Sequence, residues 1–161
     1  MTDAFLLRHA ATDADIDVMH HYLSTESYWA KHIPRDVVAR SVANSLPFLF
    51  DDVETGTLAA FARVVTDRAT FAYLGDVFVL PVYRGSGLGK RIMESVLAHP
   101  DLQNLRRFLL FTLDAHGLYA RYGFGPPLHP DRLMTRDSAE PYAALRFTPK
   151  VPPTLPRATR R

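Results

Sequence analysis

Apolar residues recur at helical spacing at Ile16, Met19, Tyr22 and Leu23, behind an Asp13 suited to cap a helix N-terminus. A second helix is predicted from Pro34, a favoured first-turn residue, to about residue 45, with Val37, Val38 and Val42 facing inward. The period then changes to that of strands. Residues 46–50 and 57–66 read as two strands joined through the acidic turn Asp51-Asp52-Val53-Glu54-Thr55-Gly56. Residues 70–80 read as a third strand after the turn Asp67-Arg68, and Gly75 in its middle predicts a bulge or a close backbone approach.

Pro81 ends that strand, and a glycine-rich loop follows. Leu88, Ile92, Val96 and Leu97 have helical spacing within residues 87–99. Residues 105–112 form a strongly apolar run, expected as a buried strand in the middle of a sheet. A short helix is predicted over 115–122, stopped by Gly123. Weak strand patterns at 133–136 and 143–147 should close the fold. Beyond them Pro149, Pro152, Pro153 and Pro156 interrupt any periodicity, so 148–161 is expected as a flexible tail behind a domain of residues 1–147. A strand, a helix and a strand in succession make a right-handed crossover that sets two neighbouring strands parallel. The fold class is therefore α/β: a mixed, mostly antiparallel central sheet with one parallel pair and helices on both faces.

Composition removes several alternatives. A chain of 161 residues with 47% hydrophobic and 22% charged positions suits one globular domain. It has no cysteine, which excludes disulfides, thiolate zinc sites and a cysteine nucleophile. The longest apolar runs, such as Phe108-Leu109-Leu110-Phe111, are far too short for a membrane span. The start Met1-Thr2-Asp3-Ala4 lacks the pattern of a secretion signal, so a cytoplasmic location is expected. Net charge is only +2, and Arg157, Arg160 and Arg161 sit in the tail. Neither a basic stripe nor an aromatic-basic pattern points to nucleic acid.

The loop Arg84-Gly85-Ser86-Gly87-Leu88-Gly89-Lys90 carries the strongest chemistry. It lies between a strand and a helix, where spaced glycines let successive N–H groups face one concavity and the helix dipole favours an anion. Arg84 and Lys90 bring positive charge to its edges. A nucleotide P-loop would need glycine where Arg84 stands, and a dinucleotide fingerprint would need glycine at Lys90; both fail. A diphosphate is the fitting guest; otherwise the loop is a structural turn that caps the helix.

With its preceding strand, this stretch resembles the GNAT N-acyltransferases. Val77-Phe78-Val79-Leu80-Pro81-Val82-Tyr83 followed by Arg-x-x-Gly-x-Gly is their signature, and Arg84, Gly87 and Gly89 take its fixed positions. The resemblance spans about residues 58–124. It implies the GNAT fold, with the parallel strands splayed at their ends and acetyl-CoA held between them as co-substrate. The amides of Arg84, Gly85, Ser86, Gly87, Leu88, Gly89 and Lys90 would hold the CoA diphosphate, and Val77, Phe78 and Val79 would pair with the pantetheine arm like an added strand.

The later string Asp114-Ala115-His116-Gly117-Leu118-Tyr119 resembles that of a subgroup of small GNAT proteins, with Tyr119 four residues before Gly123-Phe124. In the family such a tyrosine often protonates the departing thiolate; otherwise Tyr119 is an amphipathic core residue. The segment is more compact than in many members, which lack this string and carry an asparagine. His116 either carries a proton or orders the turn.

Asp76 interrupts an apolar strand, a burial cost that asks for a reason. By resemblance it attracts or deprotonates the substrate amine, with water as the other candidate base; otherwise it bonds backbone at the bulge. Tyr28 and Trp29, between the first two helices, would line the acceptor pocket; otherwise Trp29 is an interhelical plug. The implied activity is acetyl transfer to the primary amine of a small-molecule or peptide acceptor by direct attack. It needs no metal, nucleic acid or membrane, and it leaves a homodimer open. The rival reading is a CoA-binding regulatory or interaction module of the same fold.

Overall fold

Thr12, one residue ahead of the expected cap, starts the first helix. In this computed structural model, which describes residues 3–146, the Asp15 N–H donates to Thr12 Oγ1 at 3.3 Å, and the Thr12 N–H donates to Asp15 Oδ2 at 2.6 Å. That reciprocal capping box satisfies donors at both ends of the first turn, which Asp13 alone could not do.

Strand β1 (Phe5–Arg8) precedes α1 (Asp13–Thr25), and α2 (Arg35–Ala43) follows, with Pro34 at its N-cap. Strands β2 (Leu46–Asp52), β3 (Leu58–Thr66) and β4 (Phe71–Val79) form an antiparallel meander. Helix α3 (Leu88–Ala98), strand β5 (Arg107–Leu110) and the short α4 (His116–Ala120) complete the order.

The five strands lie in chain order, β1 to β5, with only β4 and β5 parallel. Strand β1 has no counterpart in the sequence reading. It is short, Leu6 is exposed, and it pairs with β2 across the whole of α1 and α2, so no local hairpin signal marks it.

The sheet packs on both faces. One face buries Phe48, Phe50, Val64 and Leu74 against Leu88, Ile92, Met93 and Val96 of α3. The other buries Leu49, Phe61 and Phe78 against Met19, Leu23, Val38 and Val42 of α1 and α2. Covered on both sides, β2 is buried without interruption from Leu46 to Phe50, which explains its unbroken apolar run.

Two expectations about the C-terminal part are corrected. Strand β5 is an edge strand rather than a central one: Phe108, Leu109 and Leu110 are half-buried, and Phe111 beyond them is exposed. The covering strands are absent among the described residues. Residues 133–136 are exposed and irregular, and Ala143–Arg146 is a 3₁₀ turn. Pro126, Pro127, Pro130 and Pro141 remove the donors a ladder needs. Residue 147 and the predicted tail 148–161 lie outside the described residues.

The bulge at Gly75 is present, and it decides where Asp76 points. Phe61 pairs with Phe78 but Arg63 pairs with Gly75, so β4 carries one extra residue against β3. Asp76 has φ +52, in the left-handed region. Strict alternation would put Asp76 on the α3 face with Ala72 and Leu74. The extra residue turns it to the α1–α2 face and keeps Val77 and Phe78 on their own sides. Such a conformation costs a non-glycine residue about 1–3 kcal/mol.

Candidate active site

The parallel pairing of β4 with β5 ends early. It runs from Phe71 opposite Arg107 to Leu74 opposite Leu110, and β4 continues alone on that side to Val79. A gap therefore opens between the strands. The Leu80 N–H donates to the Ala59 carbonyl of β3 at 2.9 Å, so by antiparallel alternation the Val79 N–H leaves the opposite edge of β4, into the gap.

The glycine loop lies at the end of β4. After the turn Pro81–Tyr83, Gly85 and Gly87 take φ +80 and φ +83, which other residues resist. Gly87 is the N-cap of α3 and offers no side chain to its free amides. The Arg91 N–H is the one that reaches the Gly87 carbonyl, at 3.1 Å, so the amides of Leu88, Gly89 and Lys90 have no acceptor within the helix.

A Cβ placed on Gly85, Gly87 or Gly89 would meet no atom within 4 Å. For Gly89 that is informative, because it sits inside α3 without a positive φ. Alanine there would favour the helix by about 1 kcal/mol. Packing therefore gives no reason for glycine, whereas close approach of an anionic ligand does. The loop fits a diphosphate.

The side chains around the loop are divided in their roles. Leu88 is buried in the α3 core, and Phe78 is buried and stacked on Tyr22 at 4.2 Å, so only their backbones can face a ligand. Ser86 Oγ donates to the Tyr83 carbonyl at 2.5 Å and tightens the turn. Arg84 turns back from the loop: Nε donates to the Val79 carbonyl and Nη2 to the Tyr22 hydroxyl, both at 3.3 Å. Lys90 is exposed, with Glu94 3.6 Å away one turn on.

Tyr119 lies on α4, buried in the cluster that fills the α3 side and edge-on to Phe124 at 6.2 Å. Burial pushes its phenol above the ordinary value of 10.0, and the nearby Tyr28 and Asp114 push in the same direction. It is therefore protonated at neutral pH. The turn before α4 is ordered by Thr112, whose hydroxyl accepts from the Ala115 N–H at 3.0 Å; His116 is exposed at the start of the helix.

Asp76 is held from two sides. Trp29 Nε1 donates to Oδ1 at 2.9 Å, and Arg63 Nε donates to Oδ2 at 2.6 Å. Arg63 also donates to Ser45 Oγ at 3.2 Å. Tyr28 packs edge-on to Trp29 at 5.0 Å, and its hydroxyl accepts from the Leu113 N–H at 2.9 Å. The α1–α2 loop thus crosses from β4 to the segment after β5.

Arg63, Tyr73 and Tyr142 were not among the expected site residues. Burial comes first in raising both phenols, and the Asp76 charge adds to it. Arg63 carried the same signal as Asp76, a charge inside an apolar strand. Tyr73 and Tyr142 carried none.

A sheet that parts along its one parallel pair, with a bare helix N-terminus at the gap, is the frame of the GNAT fold. The chain belongs to the acetyltransferase (GNAT) family, whose profile matches residues 13–124. It is 51% identical to a candidate GNAT-family acetyltransferase of Xanthomonas campestris of known structure, over 86% of this chain and 97% of that one, with a TM-score of 0.79. A candidate acetyltransferase of Gibberella zeae is 26% identical over 66% of this chain and 70% of its own length. An acetyltransferase from Clostridium acetobutylicum, assigned by prediction and solved with acetyl-CoA, is 13% identical and shares the fold, with a TM-score of 0.61 over 83% of this chain and 96% of that one. No helix among the described residues is long and apolar enough to cross a membrane, and they contain no cluster of metal-ligating side chains.

Proposed function

We propose that this chain is an N-acetyltransferase that moves the acetyl group of acetyl-CoA to a primary amine by direct attack. The observation that carries the reading is the gap opened beyond Leu74 and Leu110, with the glycine loop at the end of β4 and Asp76 at the bulge. The amides of Arg84 to Lys90 bind the CoA diphosphate. The free edge of β4 over Val77, Phe78 and Val79 pairs with the pantetheine arm. That arrangement brings the thioester carbonyl to the Val79 N–H, which polarises it.

Asp76 draws the acceptor's ammonium to the other side of the gap, beside Tyr28 and Trp29. Both carboxylate oxygens already accept hydrogen bonds, so the carboxylate positions the amine and passes its proton on through water. The amine nitrogen bonds to the carbonyl carbon, the carbon–sulfur bond breaks, and Tyr119 gives its phenolic proton to the thiolate. Tyr119 recovers a proton from solvent, where the amine's proton has gone. The acceptor is a small molecule or a peptide.

Two measurements test this. Acetyl-CoA should raise the Tm in proportion to the logarithm of its concentration, as a ligand of the native state does. Free thiol should then appear when acetyl-CoA and a panel of primary amines are supplied together. Acetyl-CoA binding without thiol release from any amine leaves only a CoA-binding module.

A further inference from the structure

On its α1–α2 face the gap is bordered by a closed circuit of contacts. Phe111 lies 6.0 Å from the ring of Tyr73. Tyr73 covers Gly75, where an added Cβ would stand 3.0 Å from its ring. Asp76 follows in the chain and holds Trp29, Trp29 meets the ring of Tyr28, and the Tyr28 hydroxyl holds the Leu113 backbone. Leu113 is two residues from Phe111, so the circuit closes.

Much of this circuit is apolar and faces solvent. Tyr28 is 49% exposed, Trp29 40%, Phe111 65% and Leu113 71%. Such a concentration beside a reaction site marks a ligand surface. Among the described residues that form the circuit, the one charged side chain is Asp76, and Arg63 already balances it. A phosphorylated or dicarboxylic acceptor would need a cation in this circuit, and Arg63 beside it is already committed to Asp76 and Ser45.

We infer that the acceptor is a monoamine carrying a flat aromatic group, which lies between the rings of Tyr28, Trp29 and Phe111 while its ammonium faces Asp76. The inference rests on the transferase reading and adds the substrate class. Aromatic faces give such a group both apolar burial and ring contacts. They also favour the cationic end on its way to Asp76. A peptide acceptor would meet the same demand through an aromatic residue beside its amine.

Trp29 is the chain's one tryptophan, so its fluorescence reports on this circuit alone. With acetyl-CoA or CoA present, 2-phenylethylamine should change that fluorescence at a concentration about tenfold or more below propylamine or spermidine. In thiol-release assays its kcat/KM should lead theirs by about the same factor. The Trp29→Leu variant should lower that preference severalfold while acetyl-CoA still raises its Tm.

If 2-phenylethylamine binds selectively but no thiol is released, the aromatic site stands and the transferase reading falls. If spermidine or propylamine is acetylated as well as 2-phenylethylamine, the transferase reading stands and the aromatic site falls. An unchanged preference in folded Trp29→Leu overturns the placement at these rings.

Discussion

Arg63 Nε stands 2.6 Å from Asp76 Oδ2, an ion pair that ties β3 to β4 across the bulge. Its side chains are 17% and 10% exposed, so each group depends on the other for its lost hydration. Asp76→Ala should therefore cost about 3–5 kcal/mol by denaturant unfolding, since it strands a mostly buried guanidinium. Asp76→Gly loses the same pair but relieves the positive φ, and should be about 1 kcal/mol more stable than Asp76→Ala. An alanine variant at least as stable as the glycine one would mean the left-handed backbone is not retained in solution.

The glycine at position 89 gives a test in which stability and binding move in opposite directions. Gly89→Ala adds a methyl where nothing stands within 4 Å and improves a helical position. Unfolding should become about 1 kcal/mol harder, while the Tm shift produced by acetyl-CoA should shrink. Gly87→Glu should abolish that shift, because it forces a side chain into φ +83 and puts negative charge at the helix start. Undiminished acetyl-CoA binding in both variants would remove the diphosphate from this loop.

These residues also show why some of the molecule could be read in one dimension and some could not. The glycine loop, the bulge at Gly75 and the lone charge of Asp76 are local events in the chain, each with a local physical cost. The parallel crossover followed from element order. Strand β1, the edge position of β5 and the Arg63–Asp76 pair depend on partners distant in sequence, and alternation along one strand cannot report them. Strand β5 misled because an apolar run marks burial only when another strand arrives to cover it. The proline-bearing segment after Gly125 does not supply one among the described residues.

At the opposite end of the sheet, His99 should make folding sensitive to acid. Its ring lies edge-on to His9 at 5.4 Å and to Phe48 at 5.7 Å, and its Nδ1 accepts from the Asp101 N–H at 3.2 Å. Burial lowers its pKa below 6.5; the neighbouring His9 and Arg68 act in the same direction, and Asp101 opposes them. The folded state therefore prefers the neutral ring. Its stabilising contribution is present above pH 6.5 and fades as pH falls through the lowered value. His99→Asn keeps an acceptor for Asp101 but cannot titrate. Its unfolding free energy should fall less steeply below pH 6.5 than that of the parent chain. Parallel profiles would assign the acid sensitivity elsewhere.

Tyr119 offers the most direct test of the chemical step. Tyr119→Phe keeps the ring in its cluster with Phe124 and deletes the proton. If that proton goes to the leaving thiolate, kcat should fall about 10²–10⁴-fold, the usual contribution of a positioned acid. KM for acetyl-CoA should change little, because the loop and the β4 edge are intact. The pH profile supplies a second check. Burial holds the phenol above 10.0, so the parent enzyme should show no loss of rate from this group until the pH passes that value. The same shift means its contribution to stability is full below pH 10 and lost as pH rises through the folded value. A Tyr119→Phe enzyme that keeps turnover within twofold, with its best acceptor, would leave Tyr119 as a core residue and give the proton to water.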